Sequence, residues 1–235
     1  GRPGWHIECS AMANKYLGKT IDIHSGGQDL IFPHHENEIA QSECANNAPF
    51  AHYWMHNGYI NINNQKMSKS LGNFFTVRDI IKQYDPEIVR FFMLSAHYRN
   101  PVNFSDTLME QSKSAVERVY TCINNLKFLY ENGSDGEMND SEKKFCNKLD
   151  GFRQKFIDAM DDDLNTADAI SVIFDIVYAA NTDLSNDKQV SKEAAKKALD
   201  TIAELGGVLG LFAKTEEKPL DEEIEAMIEE RNKAR

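Results

Sequence analysis

The chain of 235 residues, 41% of them hydrophobic, is long enough to bury the core of one large or two modest domains. It has no stretch of the roughly 18 apolar residues that a membrane span needs and no close-set cysteine pair, so we expect a cytoplasmic protein with reduced thiols. The net charge of −11 argues against a surface that is basic throughout, but the acidic residues concentrate late, and clusters such as Arg90 with Arg99 can still meet an RNA backbone.

The first 62 residues predict an open α/β sheet. Residues 5–9 alternate like a short strand, and residues 20–24 form a second strand that runs into a glycine turn. Residues 36–44 predict a helix, and residues 50–62 predict a strand, a turn and a further strand. Strand, glycine turn and helix in that order place ligands at the carboxyl edge of such a sheet.

Cys9, His34 and Glu38 are the candidate metal ligands. His34 and Glu38 stand four apart directly after Pro33, so a helix that begins at the proline projects both side chains from one face. A thiolate, an imidazole and a carboxylate together suit Zn²⁺ better than Mg²⁺ or Ca²⁺, which prefer oxygen ligands. On these residues alone, a buried cysteine and a surface His–Glu pair are the alternatives to a zinc site.

Two further groups of residues suit a nucleotide. Gly26 and Gly27 allow close approach of the backbone, and the Asp29 carboxylate can accept hydrogen bonds from ribose hydroxyls, although such a string is also a common turn. Lys66 and Lys69 stand three apart in a loop, where lysines are ordinarily just exposed to solvent, but where flexible ammonium groups can also follow the charge that develops on departing phosphate oxygens.

Beyond residue 74 the periodic segments are helical and end in a bundle. Thr76 is the predicted N-cap of a helix to residue 84, Pro86 precedes a helix over 87–96, and Ser105 starts a long helix to about residue 130. After a polar linker, further helices are predicted at 141–160, 164–183, 190–210 and 220–235.

Some residues in these helical segments have a structural rather than a chemical interpretation. Cys44, Cys122 and Cys146 lie in helical patterns and are expected to be packing residues. Consecutive acidic residues at 161–163 do not converge as metal ligands must, so Asp163 or Asn165 is interpreted as the cap of the helix that follows.

Three strings stand out when they are taken together. They are Gly-Trp-His-Ile-Glu-Cys at 4–9, Gly-Gly-Gln-Asp-Leu-Ile-Phe-Pro-His-His-Glu-Asn-Glu at 26–38 and Lys-Met-Ser-Lys-Ser at 66–70. In this order they resemble three signatures of the cysteinyl-tRNA synthetases. The resemblance implies a ligase that activates cysteine with ATP and Mg²⁺ and transfers it to tRNA(Cys).

The resemblance also implies a zinc ion in the amino-acid pocket. In the family the ion is held by two cysteines, one histidine and one glutamate, and three of these positions match Cys9, His34 and Glu38. The fourth ligand, a cysteine near the family's amino terminus, has no counterpart in this sequence. A zinc ion would bind a substrate thiol far better than the hydroxyl of serine, so selection would need no editing site.

The resemblance assigns further roles around the substrates. Trp5 matches the aromatic residue that closes on the bound amino acid. Lys69 matches the principal phosphate-binding lysine of the family, Lys66 assists it, and Ser68 and Ser70 are lesser donors.

The implied architecture is α/β plus all-α: the second half of a class I Rossmann-like catalytic domain followed by a helical bundle. Residues 1–74 would be the catalytic part with the loop at 66–70, residues 75–107 a connecting region that contacts the tRNA stem, and residues 108–235 the bundle on the anticodon side. The chain then looks like the carboxyl-terminal portion of a longer, monomeric enzyme, cut at both ends and inactive alone.

Two other functions fit parts of the same pattern. A related ligase joins cysteine to an amino sugar with the same zinc and ATP apparatus, and charging of a tRNA transcript would distinguish the two enzymes. A non-catalytic fragment that binds tRNA through residues 75–235 is the third interpretation, and a gel shift on the separate pieces would test it.

Overall fold

The computed structural model describes residues 3–68, 75–184 and 190–214. Lys69 and Ser70 lie outside these ranges, as do the Lys66 side chain and the helix predicted at 220–235. Within the described ranges the strands come early and the long helices late, as the α/β plus all-α prediction requires.

The elements fall into an α/β part, a connecting region and a bundle. The α/β part consists of α1 (His6–Tyr16), β1 (Ile21–Gly27), a 3₁₀ turn (Gln28–Leu30), a π-helical turn (Ile31–His35), α2 (Glu36–Asn46), β2 (Ala51–Asn57), β3 (Ile60–Ile62) and β4 (Gln65–Lys66). The connecting region consists of α3 (Val77–Ile80), α4 (Pro86–Leu94) and β5 (Val102–Phe104). The bundle consists of α5 (Asp106–Asn132), α6 (Asp140–Asp161), α7 (Thr166–Asp183) and α8 (Lys192–Leu209).

The first sheet is a parallel pair. β1 lies beside β2 with Ile21 opposite Ala51 and Gly27 opposite Asn57, and the chain crosses between them through α2, because parallel strands need a crossover. α1 packs against α2. Both strands end at the same edge, and the residues that follow β1 lie there.

The second sheet joins segments that are far apart in the chain. β3 pairs antiparallel with β4 and parallel with β5, so β2 and β3 follow one another as predicted but belong to different sheets. No strand was predicted where β5 lies, because its three residues are too few for an alternating pattern and its partner is distant in sequence.

The strand predicted over residues 5–9 is wrong, and the structure has α1 there. Five alternating residues are a short window, whereas the following Ala11, Met12 and Ala13 are strong helix formers. Glu8 in the first turn and Lys15 in the last turn complement the helix dipole.

The predicted caps hold for the later helices. The Ser105 side chain accepts a hydrogen bond from the amide of Leu108 at the start of α5, and Pro86 is the first residue of α4. Thr76 is the N-cap of α3, but this helix ends at Ile80 instead of residue 84, since the chain must leave the helical conformation before the Asp85–Pro86 step.

The main hydrophobic core lies within the bundle. Its fully buried side chains include Phe145, Leu149, Ile173, Ile176 and Ile202. Cys122 and Cys146 are buried in this core, which confirms them as packing residues. Cys44 is exposed on α2, so the packing prediction is wrong there, because α2 buries Glu38 and Ser42 instead.

Side chains of α4 fasten the connecting region to the end of the bundle. Arg90 Nε donates a hydrogen bond of 2.5 Å to the carbonyl of Leu209, and the next residue, Gly210, has a left-handed φ of 66°. A Cβ at Gly210 would lie 2.8 Å from Arg90 Nε, so glycine serves both the backbone angle and the close approach. The Glu87 carboxylate accepts hydrogen bonds from the Tyr120 hydroxyl and the Phe212 amide.

The α/β part leaves several large apolar side chains on its surface. Trp5, Tyr16, Phe32 and Tyr53 are all exposed. Among the described residues, no helix is both long enough and apolar enough to cross a membrane.

Candidate metal centre

Cys9, His34 and Glu38 come together from three elements. Cys9 lies on α1, His34 on the π-helical turn and Glu38 in the first turn of α2. One ligand atom from each, a sulfur, an imidazole nitrogen and a carboxylate oxygen, lies within 4.8 Å of the other two. The expected helix start at Pro33 is close to the observed one, because the π-helical turn runs directly into α2 and keeps His34 one turn before Glu38.

The Glu38 carboxylate is fully buried, and its two oxygens have different environments. Oε2 lies 2.5 Å from His24 Nε2 and is hydrogen-bonded to it. Oε1 lies 2.8 Å from His34 Nε2, but this contact does not meet the geometry of a hydrogen bond, and within the described ranges Oε1 has no hydrogen-bond partner. A buried carboxylate oxygen without a donor is unfavourable unless a cation compensates it, so this environment fits a metal ion.

The Cys9 thiol fits the same interpretation. Burial raises the pKa of Cys9 above the ordinary value of a thiol, and the direct interaction of the thiol with the adjacent Glu38 carboxylate, together with the charge of that group, raises it further. With protein groups alone the sulfur therefore stays protonated at neutral pH. A divalent cation among these three side chains would reverse that electrostatic balance, because metal-bound cysteine is a thiolate.

A second cluster of potential ligands shares Glu38. His24, His35 and Glu38 also offer ligand atoms within 4.8 Å of one another. In this cluster, however, His24 and Glu38 are already hydrogen-bonded to each other, and His35 Nδ1 lies 2.9 Å from His56 Nε2. We therefore interpret His24 as a residue that orients the carboxylate, as a histidine beside a metal ligand commonly does.

An aromatic wall surrounds the candidate ligands. The Trp5 ring is 4.7 Å from the His34 ring, between centroids, so the structure places Trp5 beside the candidate ligands. On the other side, the Trp54 ring is 4.8 Å from His24 and 5.2 Å from His35.

His35 and His56 are held neutral by their surroundings. Burial lowers the pKa of His35, and burial together with the positive charge of Arg99 lowers the pKa of His56. Sequence reasoning did not identify His35, Trp54 and His56 as members of the site. The available signal was weak: Trp54 and His56 are two apart on a predicted strand, so they share one of its faces.

The predicted nucleotide residues at the end of β1 lie next to this cluster. A Cβ at Gly26 would be 3.0 Å from His35 Cε1, so the absence of a side chain lets the His35 ring pack against the strand. Gly27 ends β1, and the exposed Asp29 follows in the 3₁₀ turn. The loop at 66–70 starts on β4 in the other sheet. Of the residues predicted to bind phosphate in this loop, Ser68 is described, whereas Lys69, Ser70 and the Lys66 side chain lie outside the described residues.

Comparisons with known proteins find two matching domain families and close relatives. The family model described as the catalytic domain of class I tRNA synthetases (C) matches residues 1–114, and the DALR domain model matches residues 155–213. Cysteine–tRNA ligases of Clostridioides difficile (strain 630) and Lachnospira eligens are each 59% identical over all 235 residues. The chain spans about half the length of these curated relatives, 50% and 49% respectively.

Solved structures support the fold at lower similarity. The agnB2 LeuRS of Agrobacterium radiobacter K84, solved as a ternary LeuRS-tRNA-LeuAMS complex, gives a TM-score of 0.65 at 18% identity, covering 82% of this chain and 27% of that one. Methionyl-tRNA synthetase of Mycobacterium tuberculosis, in complex with methionyl-adenylate, gives 0.58 at 17% identity, covering 80% and 40%. Residues 1–114 therefore match the catalytic domain of the class I tRNA synthetases, and the whole chain is similar to about half of a cysteine–tRNA ligase.

Proposed function

We propose that the chain is the part of a cysteine–tRNA ligase that binds the amino acid through a zinc ion, contributes to the ATP site and carries a tRNA-contacting bundle. The observation that carries this proposal is the convergence of Cys9, His34 and Glu38 around a buried carboxylate oxygen for which the described part of the chain provides no hydrogen-bond donor. Similarity to the cysteine–tRNA ligases supplies the reaction: cysteine and ATP form cysteinyl-adenylate, and the cysteinyl group passes to tRNA(Cys).

Cys9, His34 and Glu38 would hold the zinc ion. When bound, the ion would ligate the substrate sulfur and so favour cysteine over its oxygen analogue. The protein's own contribution is orientation: the His24 hydrogen bond fixes one Glu38 oxygen and leaves the other for the ion. Trp5, which is exposed beside His34, would close over the amino acid.

The nucleotide would lie across the carboxyl edge of the parallel sheet. Gly26 and Gly27 would admit the nucleotide close to the backbone, and Asp29 would accept hydrogen bonds from its ribose. Lys66 and Lys69 would meet the charge that develops on pyrophosphate as it leaves, with Ser68 and Ser70 as hydroxyl donors and Mg²⁺ accompanying the ATP.

The remaining parts would serve the tRNA. We assign residues 1–74 to the catalytic unit, 75–107 to a connection that contacts the acceptor stem and 108–235 to a bundle on the anticodon side. The family works in the cytoplasm on a soluble substrate, and we expect this protein to do so as a monomer.

Zinc analysis of the full-length protein tests the metal assignment. Cys9→Ser should abolish tight zinc retention, whereas Cys44→Ser is a matched control, because Cys44 is an exposed thiol on α2 outside the cluster. Full zinc occupancy in Cys9→Ser would refute the assignment.

The reaction is tested separately. Full-length protein should catalyse cysteine-dependent exchange between ATP and pyrophosphate and should charge a tRNA(Cys) transcript. Exchange without charging, but with transfer of cysteine to an amino sugar, would contradict the proposal in favour of the related ligase.

A further inference from the structure

A short segment of the connecting region touches both the α/β part and the bundle. His97, Tyr98 and Arg99 follow α4, and they face the corner at residues 162–165 between α6 and α7. Their other neighbours belong to the turns that follow β1 and β2. The sequence had suggested a different role for Arg99, namely contact with an RNA backbone.

On the bundle side, the Asp163 carboxylate accepts hydrogen bonds from side chains of this segment. The Tyr98 hydroxyl donates to Asp163 Oδ1 at 2.7 Å, and Arg99 Nε donates to Asp163 Oδ2 at 2.5 Å. His97 Nε2 lies 3.8 Å from the same oxygen. Both carboxylate oxygens are therefore occupied by donors from one three-residue segment.

The backbone at this corner is unusual. Asp163 and Leu164 both have left-handed φ values, 55° and 56°, although neither is glycine. Two successive residues of this kind are unfavourable by themselves, so surrounding contacts must hold them. The cap of α7 is provided by Asn165, whose side chain accepts from the Asp168 amide, which leaves the Asp163 carboxylate for Tyr98 and Arg99.

On the sheet side, the same segment is held by backbone contacts. Gln28 Nε2 donates to the Arg99 carbonyl at 2.8 Å, and the Gly58 amide donates to the Tyr98 carbonyl at 2.8 Å. A Cβ at Gly58 would lie 2.4 Å from the Asn100 carbonyl carbon, so the turn after β2 packs against this segment too closely for a side chain to fit between them. Gln28 stands between Gly27 and Asp29, two of the residues assigned above to the nucleotide.

We propose that Asp163 is a positioning residue: it fixes Tyr98 and Arg99, whose backbone in turn fixes Gln28 and therefore the 26–29 segment that receives ATP. The proposal rests on the proposed function, because it assumes that this segment binds the nucleotide. It makes the corner of the helical bundle a determinant of ATP binding that acts indirectly, through the backbone of residues 98–99 and the side chain of Gln28.

The experiment uses the full-length enzyme and measures cysteine-dependent ATP–pyrophosphate exchange. Asp163→Asn keeps the size of the side chain but weakens the charge-assisted hydrogen bond from Arg99. We expect the KM for ATP to rise about five-fold, while kcat and the KM for cysteine stay within about two-fold. Gln28→Ala should raise the same KM, and the double variant should show less than the product of the two effects because both changes break one chain of contacts.

Two further variants keep the test decisive. Asp183→Asn removes an ion pair with Lys148, 2.7 Å long, elsewhere in the bundle, and it should leave the KM for ATP unchanged. Tyr98→Phe removes only the hydroxyl that donates to Asp163, so it should shift the KM in the same direction even if Asp163→Asn folds poorly.

The outcomes separate the competing explanations. An unchanged KM for ATP in Asp163→Asn and Tyr98→Phe overturns the proposal. A raised KM for tRNA with normal exchange also overturns it and makes Arg99 an RNA contact, as its sequence suggested. If wild-type enzyme shows no cysteine-dependent exchange, the proposed function fails instead, and this result is visible before any variant is compared.

Discussion

Two buried glutamates show how differently the α/β part and the bundle use their interiors. In the bundle, Glu142 is 2% exposed and its two oxygens accept from the Ser191 amide at 2.6 Å and the Asn139 amide at 2.8 Å. In the α/β part, Glu38 is 0% exposed, and among the described residues one of its oxygens has no hydrogen-bond donor. The Glu142 carboxylate is thus satisfied by the fold itself, whereas the Glu38 carboxylate is the one that we propose binds zinc.

The surroundings of the two residues follow the same division. Around Glu142 the bundle packs aliphatic and aromatic side chains into a continuous core. Around Glu38 lie histidines, a thiol and tryptophans, and large apolar residues remain on the surface. The main hydrophobic core therefore lies in the bundle, and the proposed zinc site lies in the α/β part.

The largest expected contrast is in hydrophobic packing. Ile173→Ala in the bundle core, where Ile173 is 0% exposed, should lower the free energy of unfolding by about 4 kcal/mol, through lost burial and a cavity. Ile23→Ala, at a strand position that is 58% exposed, should change it by less than about 0.5 kcal/mol. Urea denaturation measures the free energy of unfolding of both variants. Equal losses in the two variants would contradict the placement of the main core in the bundle.

The next contrast concerns Glu38 itself. Glu38→Gln in the full-length protein should weaken zinc binding at least about 100-fold, because a charged ligand is removed. Stability without metal should change by less than about 1 kcal/mol, since the buried charge disappears with it. Competition with a zinc chelator measures the first, and Glu36→Gln, an exposed residue of the same helix, is the control.

Glu142→Gln should behave in the opposite way. The side-chain NH₂ group of the glutamine would face one of the two backbone N–H groups that now donate to the Glu142 carboxylate, so one hydrogen bond would be lost. We expect the free energy of unfolding to fall by about 2 kcal/mol. Zinc affinity should not change, because Glu142 lies in the bundle. Glu110→Gln, at an exposed site on α5, is the matched control for the substitution. A weaker zinc site in Glu142→Gln would mean that the two interiors are coupled.

A smaller effect is expected at a helix start in the bundle. Asn165→Ala removes the side chain that accepts from the Asp168 amide at 3.2 Å, and it should cost about 1 kcal/mol. Asn147→Ala, an exposed position inside α6, should be close to neutral. Thermal unfolding measures the difference between the two variants, and equal unfolding midpoints would contradict the capping role of Asn165.

The smallest effect concerns the connecting region and pH. The Thr76 hydroxyl and amide hydrogen bonds, with Lys82 nearby, lower the pKa of Asp79 from 3.8 to about 2. Because the folded pKa lies below the ordinary one, the stabilisation from this carboxylate is present above about pH 4 and is lost as the pH falls toward about 2. An NMR titration should show this midpoint, and Thr76→Ala should raise it; a midpoint near 3.8 in the wild type would contradict the contacts.

The bundle was the more predictable region, and the reason is local. Ser105 and Asn165 cap helices from within a few residues, and the apolar period of the long helices is visible along the chain. Asp163 was one of two predicted caps, and here the structure decides for Asn165, because Asp163 is engaged by Tyr98 and Arg99.

The α/β part was less predictable because its contacts are distant in sequence. The four-residue spacing of His34 and Glu38 was visible, and so was the end of β1. The aromatic wall was not, since Trp54 meets His24 only through the parallel register that places the two opposite each other. α1 was missed because a five-residue alternation outweighed the helix formers that follow it.

The exposed Trp5, Tyr16, Phe32 and Tyr53 have a practical consequence for anyone who purifies these 235 residues. Environment-sensitive dyes such as ANS will bind such surfaces, so bright fluorescence from a fresh sample would not by itself indicate a molten globule. The near-ultraviolet circular dichroism of the buried aromatic rings in the bundle is the better criterion of native packing.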